Sequence, residues 1–263
     1  MTAIHAIILG LVQGITEFLP ISSSGHLIVI PKLLGWVDQG LAFDAMIHLG
    51  TLLAVVVYFW KDIVDLLNSF KKTASLEQKL LRNAIIISMI PAGFIGFFFK
   101  DYFEDYARNL NIIVFNLIFW GVILIVADRF YRKRDISTLK SIPNYQRALY
   151  IGIAQVFALI PGTSRSGSTI SAGLFFGLSR EASVKFSFLM GVPLIFAAGC
   201  LGGIDLIESQ ENIEFLPAIL GLAFSFLGGL MAIHALLKFI KHNGLTMFGV
   251  YRIILAVTLL LVL

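Results

Sequence analysis

Two short polar runs interrupt an otherwise strongly apolar chain, and they hold the residues whose types and spacing could do chemistry. The first reads Gln13-Gly-Ile-Thr-Glu17-Phe-Leu-Pro-Ile-Ser22-Ser23-Ser24-Gly25-His26. Gln13 and Glu17 are four residues apart, which puts both on one face of a helix. An ionisable group at membrane depth costs at least about 2.5–3.5 kcal/mol unless it meets a partner or water, so Glu17 needs one. Ser22 to Gly25 form a hinge whose backbone amides open the next helical segment, a natural place for an anion. The second run reads Pro161-Gly-Thr163-Ser164-Arg165-Ser166-Gly167-Ser168-Thr169. Its arginine presents five donors in a fixed fork among hydroxyls and free amides, a set that suits a phosphate better than a neutral ligand. Blander roles exist for each residue. Ser22 could simply N-cap a helix, His26 could bond a neighbouring carbonyl, and Arg165 could pair with Glu17 for structure alone. The last of these leaves the many hydroxyls without a purpose.

The elements that must position these runs are membrane helices. The chain has 263 residues, a mean hydropathy of +0.89, 58% hydrophobic residues and 14% charged ones. That is more apolar surface than one soluble core could hide, and it predicts an all-α, polytopic membrane protein. Six apolar stretches approach the roughly 20 residues a crossing needs: 41–60, 81–99, 112–127, 184–203, 215–239 and 245–263. Two further stretches, 3–30 and 149–178, are apolar at both ends and broken in the middle by Pro, Gly, Ser and charge. We read each as a re-entrant hairpin of two half-helices, because irregular backbone at that depth survives only when buried in protein or lining a wet cavity. The opening stretch Ala3–Val12 lacks a preceding basic residue and a following small-x-small site, so it does not read as a signal peptide. Cys200, beside Ala197, Ala198 and Gly199, reads as packing.

Charge tests this arrangement. With both broken stretches re-entrant, fifteen lysines and arginines fall in the loops 61–82, 129–147, 179–185 and 238–244, against Lys32, Lys100 and Arg108 on the other side. That other side also carries Asp205, Glu208, Glu211 and Glu214. The positive-inside rule then places the basic loops in the cytoplasm and both termini outside. The net charge of +4 is thus an orientation signal, with no need for a nucleic-acid partner. A broken stretch followed by three spans occurs twice, over residues 1–130 and 145–263 of one integral membrane domain. Gln155 takes the place of Gln13, and the second run takes the place of the first. Three crossings per repeat invert the second half, so the hairpins enter from opposite faces and can meet near the midplane.

The two motifs, in this order and at this separation, resemble the undecaprenyl-diphosphate phosphatase family of the bacitracin-resistance type, and the resemblance covers the whole chain. It implies dephosphorylation of a C55 isoprenoid diphosphate to the monophosphate in the plasma membrane, recycling the carrier lipid of cell-wall synthesis, with a divalent cation such as Mg²⁺ or Ca²⁺. The family's acidic motif falls on Gln13 and Glu17, which become the candidate cation ligands. Its serine and histidine fall on Ser23 and His26, and its phosphate-binding arginine falls on Arg165, with Ser164, Ser166 and Thr169 around it. Ser22 and Ser24 join that phosphate-binding set from the first hinge. Gln13 is the weaker of the family's two options, which leaves cation binding to rest on Glu17 and the substrate's phosphates.

Cleaving a phosphoanhydride passes through a loose transition state, so positioning and charge stabilisation supply most of the acceleration. Ser23 could attack with Glu17 or His26 as base, or those residues could activate water; we favour His26 for proton transfer. Broken helices meeting at the midplane are also a transporter architecture, so a lipid-phosphate flippase using the same cluster is the alternative. A second copy of the chain is a partner that the sequence allows without requiring. Among other polar residues, His5, His48 and His234 are each expected to be satisfied by one hydrogen bond, and Asp44 to cap its span. Asn116 and Gln155 should bridge helices, with Gln155 also a candidate to line the cavity. Arg252, about two turns into the last span, would need an anionic partner or a wet cavity. Gly93, Gly96, Gly228 and Gly229 should permit close helix contact, and Trp36, Trp60, Tyr102 and Tyr106 should anchor span ends.

Overall fold

The structure, a computed structural model, describes residues 1–99, 102–103, 109–209 and 214–262, without the side chains of residues 41, 201–209 and 262. Lys100, Tyr106, Arg108 and Glu211, and the side chains of Asp205 and Glu208, therefore lie outside the described residues. Helices dominate. In chain order they are α1 (Ala3–Phe18), α2 (Ser23–Leu33), α3 (Gly40–Tyr58), α4 (Trp60–Asn68), α5 (Leu76–Phe98) and α6 (Leu110–Arg132), followed by α7 (Tyr145–Val156), α8 (Arg165–Phe175), α9 (Arg180–Ser209), α10 (Phe215–Ile240) and α11 (Thr246–Val262). Among the described residues the only β pairing is an isolated bridge between Lys140 and Leu178. The chain is an all-α polytopic membrane protein.

Among the described residues four helices, α5, α6, α9 and α10, are long and apolar enough to cross a bilayer. The expected span at 41–60 ends in a bend of 78° between α3 and α4, and α11 is a shorter apolar helix. α4 is amphipathic, with Trp60, Val64 and Leu67 exposed on one side and Lys185 paired to Asp62 at 2.5 Å. Local signals set the helix starts. Ser75 and Gln78 form a reciprocal capping box at α5, and Asn144 accepts from the Arg147 N–H at α7.

Both expected breaks are present, and the helices flanking each one pack on each other, α1 on α2 and α7 on α8. Elsewhere α1 packs on α10, α7 on α5, α3 on α9 and α6 on α11. Small residues let these backbones approach. A Cβ on Gly14 would strike the Ser225 carbonyl and Gly228, and one on Gly152 would strike the Ser88 backbone. Gly228 and Gly229 face α1, α3 and their side chains, as expected, whereas Gly93 has open space around its Cβ position and closes no contact. Gly96 makes ordinary contact with the Leu159 side chain. Cys200 is exposed rather than packed, because its side of α9 faces outward. At the basic-loop ends Asp128 is fully buried. It accepts from Arg180 at 2.8 and 3.0 Å, from Arg132 at 3.0 Å and from Thr246 at 2.8 Å, tying α6, α9 and α11 together.

Candidate active site

The two breaks have the same local build. Each new helix is capped by a serine in the left-handed region, Ser22 at φ 77° and Ser164 at φ 70°. Ser22 Oγ accepts from the Gly25 N–H at 3.3 Å, and Ser164 Oγ accepts from the Gly167 N–H at 3.1 Å. Each hydroxyl also meets the serine two residues on, Ser24 at 3.3 Å and Ser166 at 3.2 Å. A side-chain-bearing residue in such a conformation costs roughly 1–3 kcal/mol. Two serines held there by the same cap bond are therefore a repeated device, and the N-cap role expected of Ser22 is present.

The hinges interlock. Ser166 Oγ donates to the Leu19 carbonyl at 3.1 Å, and the Gly162 N–H donates to Ser24 Oγ at 3.4 Å. Between them Arg165 Nη2 pairs with Glu17 Oε1 at 3.0 Å, with both side chains almost fully buried. Glu17 Oε2 accepts from Ser23 Oγ at 2.7 Å and from Gln13 Nε2 at 3.2 Å. Arg165 Nη1 donates to the Ser187 carbonyl at 2.9 Å, so α9 seats the guanidinium from behind. A Cβ on Gly191, one turn further along α9, would overlap that guanidinium. Ser168 and Thr169 turn back to the Arg165 carbonyl at 3.1 and 2.7 Å, and Thr169 also shares a hydrogen with Ser187 Oγ at 2.7 Å. These hydroxyls shape the first turn of α8. Buried atoms without a partner among the described residues include Arg165 Nε, Gln13 Oε1, Thr163 Oγ1 and both amide atoms of Gln155.

His26 has the carbonyl bond that the sequence allows and no hydrogen bond to the serine it would serve, and His48 stands where no feature of the sequence points. His26 Nδ1 lies 2.7 Å from the Ser22 carbonyl and Nε2 lies 2.7 Å from Tyr251 Oη, with the two rings parallel. With Nδ1–H donating to Ser22, Nε2 accepts from the tyrosine, and neither nitrogen bonds Ser23 or Glu17. The histidine beside the acid is His48, on α3. Its Nδ1 meets the Asp44 carbonyl at 2.6 Å, the single bond expected of it, while Nε2 stands 3.8 Å from Glu17 Oε2. Nothing in the sequence separates His48 from the other histidines of apolar spans. His5 stacks on Trp36 at 4.0 Å, and His234 meets Tyr58 at 3.3 Å. Asp44 is inside α3 rather than at its start and accepts from Gln39 Nε2 at 2.8 Å.

The second hinge is tied to its neighbours by Asn116, which donates to the Pro161 carbonyl at 3.0 Å and so bridges as expected. Arg252 is fully buried, but the partners expected for it, an anion or water, are replaced by backbone carbonyls. It donates to Gly162 and Thr163 at 2.8 Å, to Asn116 at 3.1 Å, and to Pro20 and Leu117 at 3.4 Å. Carbonyls freed by the two breaks and buried in protein need donors, and a guanidinium has enough of them.

The family model described as Bacitracin resistance protein BacA matches residues 6–258. The chain belongs to this family. Two curated relatives are alike along the whole length. The Undecaprenyl-diphosphatase of Alteromonas mediterranea is 44% identical over 266 residues, 99% of this chain and 98% of the relative. That of Idiomarina loihiensis is 43% identical over 265 residues, 99% of each. The matched region contains both hinges, together with His48, Tyr251 and Arg252.

Proposed function

We propose that this chain hydrolyses undecaprenyl diphosphate to undecaprenyl phosphate and inorganic phosphate at the paired hinges. The observation that carries this reading is the largely buried contact of Ser23, Glu17 and Arg165 across two broken helices, at 2.7 and 3.0 Å. Relatives more than 40% identical over nearly the whole chain are named for that reaction. Both names describe hydrolysis, so translocation without cleavage is set aside.

Arg165 supplies the forked donor that a terminal phosphate needs, and its unpartnered Nε is a further donor. Ser23 Oγ already donates to the Glu17 carboxylate, the arrangement that lets a hydroxyl pass on its proton as it attacks phosphorus. Attack by a water held at the same carboxylate is the competing route. The hinge amides of α2 and α8 add positive potential where charge develops. Gln13 and Glu17 are the residues that would hold a hard divalent cation: Gln13 Oε1 is buried without a partner, while Glu17 already accepts from Arg165, Ser23 and Gln13 Nε2. Such a cation, completed by substrate phosphate oxygens, would neutralise charge on the diphosphate.

The reading includes a setting in the plasma membrane, with the basic loops cytoplasmic and both termini outside. It also includes an inverted repeat of residues 1–130 and 145–263. In support, the helix pairs exchange as a two-fold relation demands: α1 packs on α10 as α7 packs on α5, while α3–α9 and α6–α11 pair with their own counterparts. The deciding experiment is phosphate release by purified protein from prenyl diphosphates, with wild type beside Arg165→Ala. Release by wild type and near-complete loss in the variant are expected. Absence of release, or an unimpaired variant, would refute the reading.

A further inference from the structure

The site has a charge balance to explain. Its guanidinium, Arg165, is paired with Glu17 at 3.0 Å, so the two charges cancel, while the ligand proposed for the site is a polyanion. A further full positive charge lies behind the hinges. Arg252, on α11, is fully buried, and among the described residues no carboxylate pairs with it. Its carbonyl partners include Pro20 of the first hinge and Gly162 and Thr163 of the second, so one side chain grips both. The first turn of α8 rests directly against it, since a Cβ on Gly167 would come within 2.8 Å of Nη1. A trans peptide sets N–H opposite C=O. Turning the Thr163 carbonyl onto Arg252 therefore points the Ser164 N–H away from it, at the N-terminus of α8, where amides lack helical acceptors.

We propose that Arg252 is a positioning residue of this site: it fixes the two hinges against each other through their carbonyls and supplies the uncompensated positive charge that draws the diphosphate, without touching it. The inference rests on reading the hinges as the phosphatase site. Carbonyl dipoles satisfy the guanidinium's donors but do not cancel its formal charge, and in buried surroundings that charge is screened far less than in water.

Two substitutions separate the parts. Arg252→Lys keeps the charge but replaces the fork with a single ammonium, whereas Arg252→Met removes both. Each purified variant is compared with wild type for kcat and KM in phosphate release from farnesyl diphosphate, and for thermal stabilisation by inorganic pyrophosphate. Arg252→Met should lose the pyrophosphate stabilisation and about 10²-fold in kcat/KM. Arg252→Lys should keep the stabilisation and lose about tenfold, mainly in kcat. A Met variant that merely melts lower, with wild-type kcat, KM and pyrophosphate response, would overturn the proposal. So would a Lys variant as deaf to pyrophosphate as the Met variant. Aggregation of both variants would overturn it too, because the residue would then hold the fold rather than the site. Arg165→Ala runs alongside: full activity there sinks the site reading itself, while loss there beside an unaffected Arg252→Met sinks only this inference.

Discussion

Substituting Gly191 by alanine should disable the site without removing any group that acts in it. Gly191 is buried on α9, and a Cβ there would overlap the Arg165 guanidinium. The obstructed atoms are the far end of a long side chain rather than backbone, so the helix can accept the methyl and the guanidinium must give way. Restoring ordinary contact of about 3.5–4.0 Å moves the guanidinium by about 1 Å or more. From 3.0 Å to Glu17 and 2.9 Å to the Ser187 carbonyl, such a shift breaks one or both bonds. A misplacement of that size costs roughly 10²-fold in rate, equivalent to about 2.7 kcal/mol of barrier. The assay is kcat/KM for phosphate release from a prenyl diphosphate, read beside the melting temperature, which should fall by no more than about 5 °C. Adding Gly191→Ala to Arg165→Ala should cost nothing further, since both act through the same side chain. Wild-type kcat/KM in the single variant would show that the seat of Arg165 on α9 has no bearing on turnover.

Other outcomes follow from the same contacts. Ser23→Ala should abolish nearly all phosphate release if the hydroxyl attacks, with its structure intact by melting temperature; substantial residual turnover would favour water as nucleophile. Chelation by EDTA should suppress release and added Mg²⁺ or Ca²⁺ should restore it, with Gln13→Glu shifting the concentration for half-restoration downward because a carboxylate replaces an amide oxygen. Gly14→Val forces a side chain against the Ser225 and Gly228 backbone, which cannot swing aside, and should cost about 3 kcal/mol in denaturant or thermal unfolding. Asp128→Ala strands Arg180 in a largely buried position and should destabilise by about 2–3 kcal/mol while leaving KM near wild type.

The parts of the site that were legible in the sequence are those with a local cost attached. Glu17 and Arg165 stand out because charge in apolar sequence demands a partner, and the structure pairs them. The serines stand out because they break helices, and two of them cap the next ones from the same unusual backbone conformation. His48 was not legible, since its nearness to Glu17 depends on how α3 leans on α1 and on no feature of its own segment. Tyr251 was silent for the same reason, its bond to His26 spanning 225 residues. Asp128 was hidden among loop charges, although burial and four hydrogen bonds make it the clamp of the basic side.

By itself the sequence determined the solvent, the helical class and the two breaks, and it singled out Glu17, Ser23 and Arg165 as candidates for chemistry. Hydropathy and the need to satisfy every backbone group are properties of consecutive residues, and lipid enforces them strictly. Tertiary structure alone decided which groups share a hydrogen bond. It drew His26 to a tyrosine, brought His48 to the acid, seated Arg165 over a glycine, and filled the donors of Arg252 with carbonyls from both hinges. Those choices follow from helix crossings between segments from 26 to more than 200 positions apart, and no local pattern encodes how such segments meet.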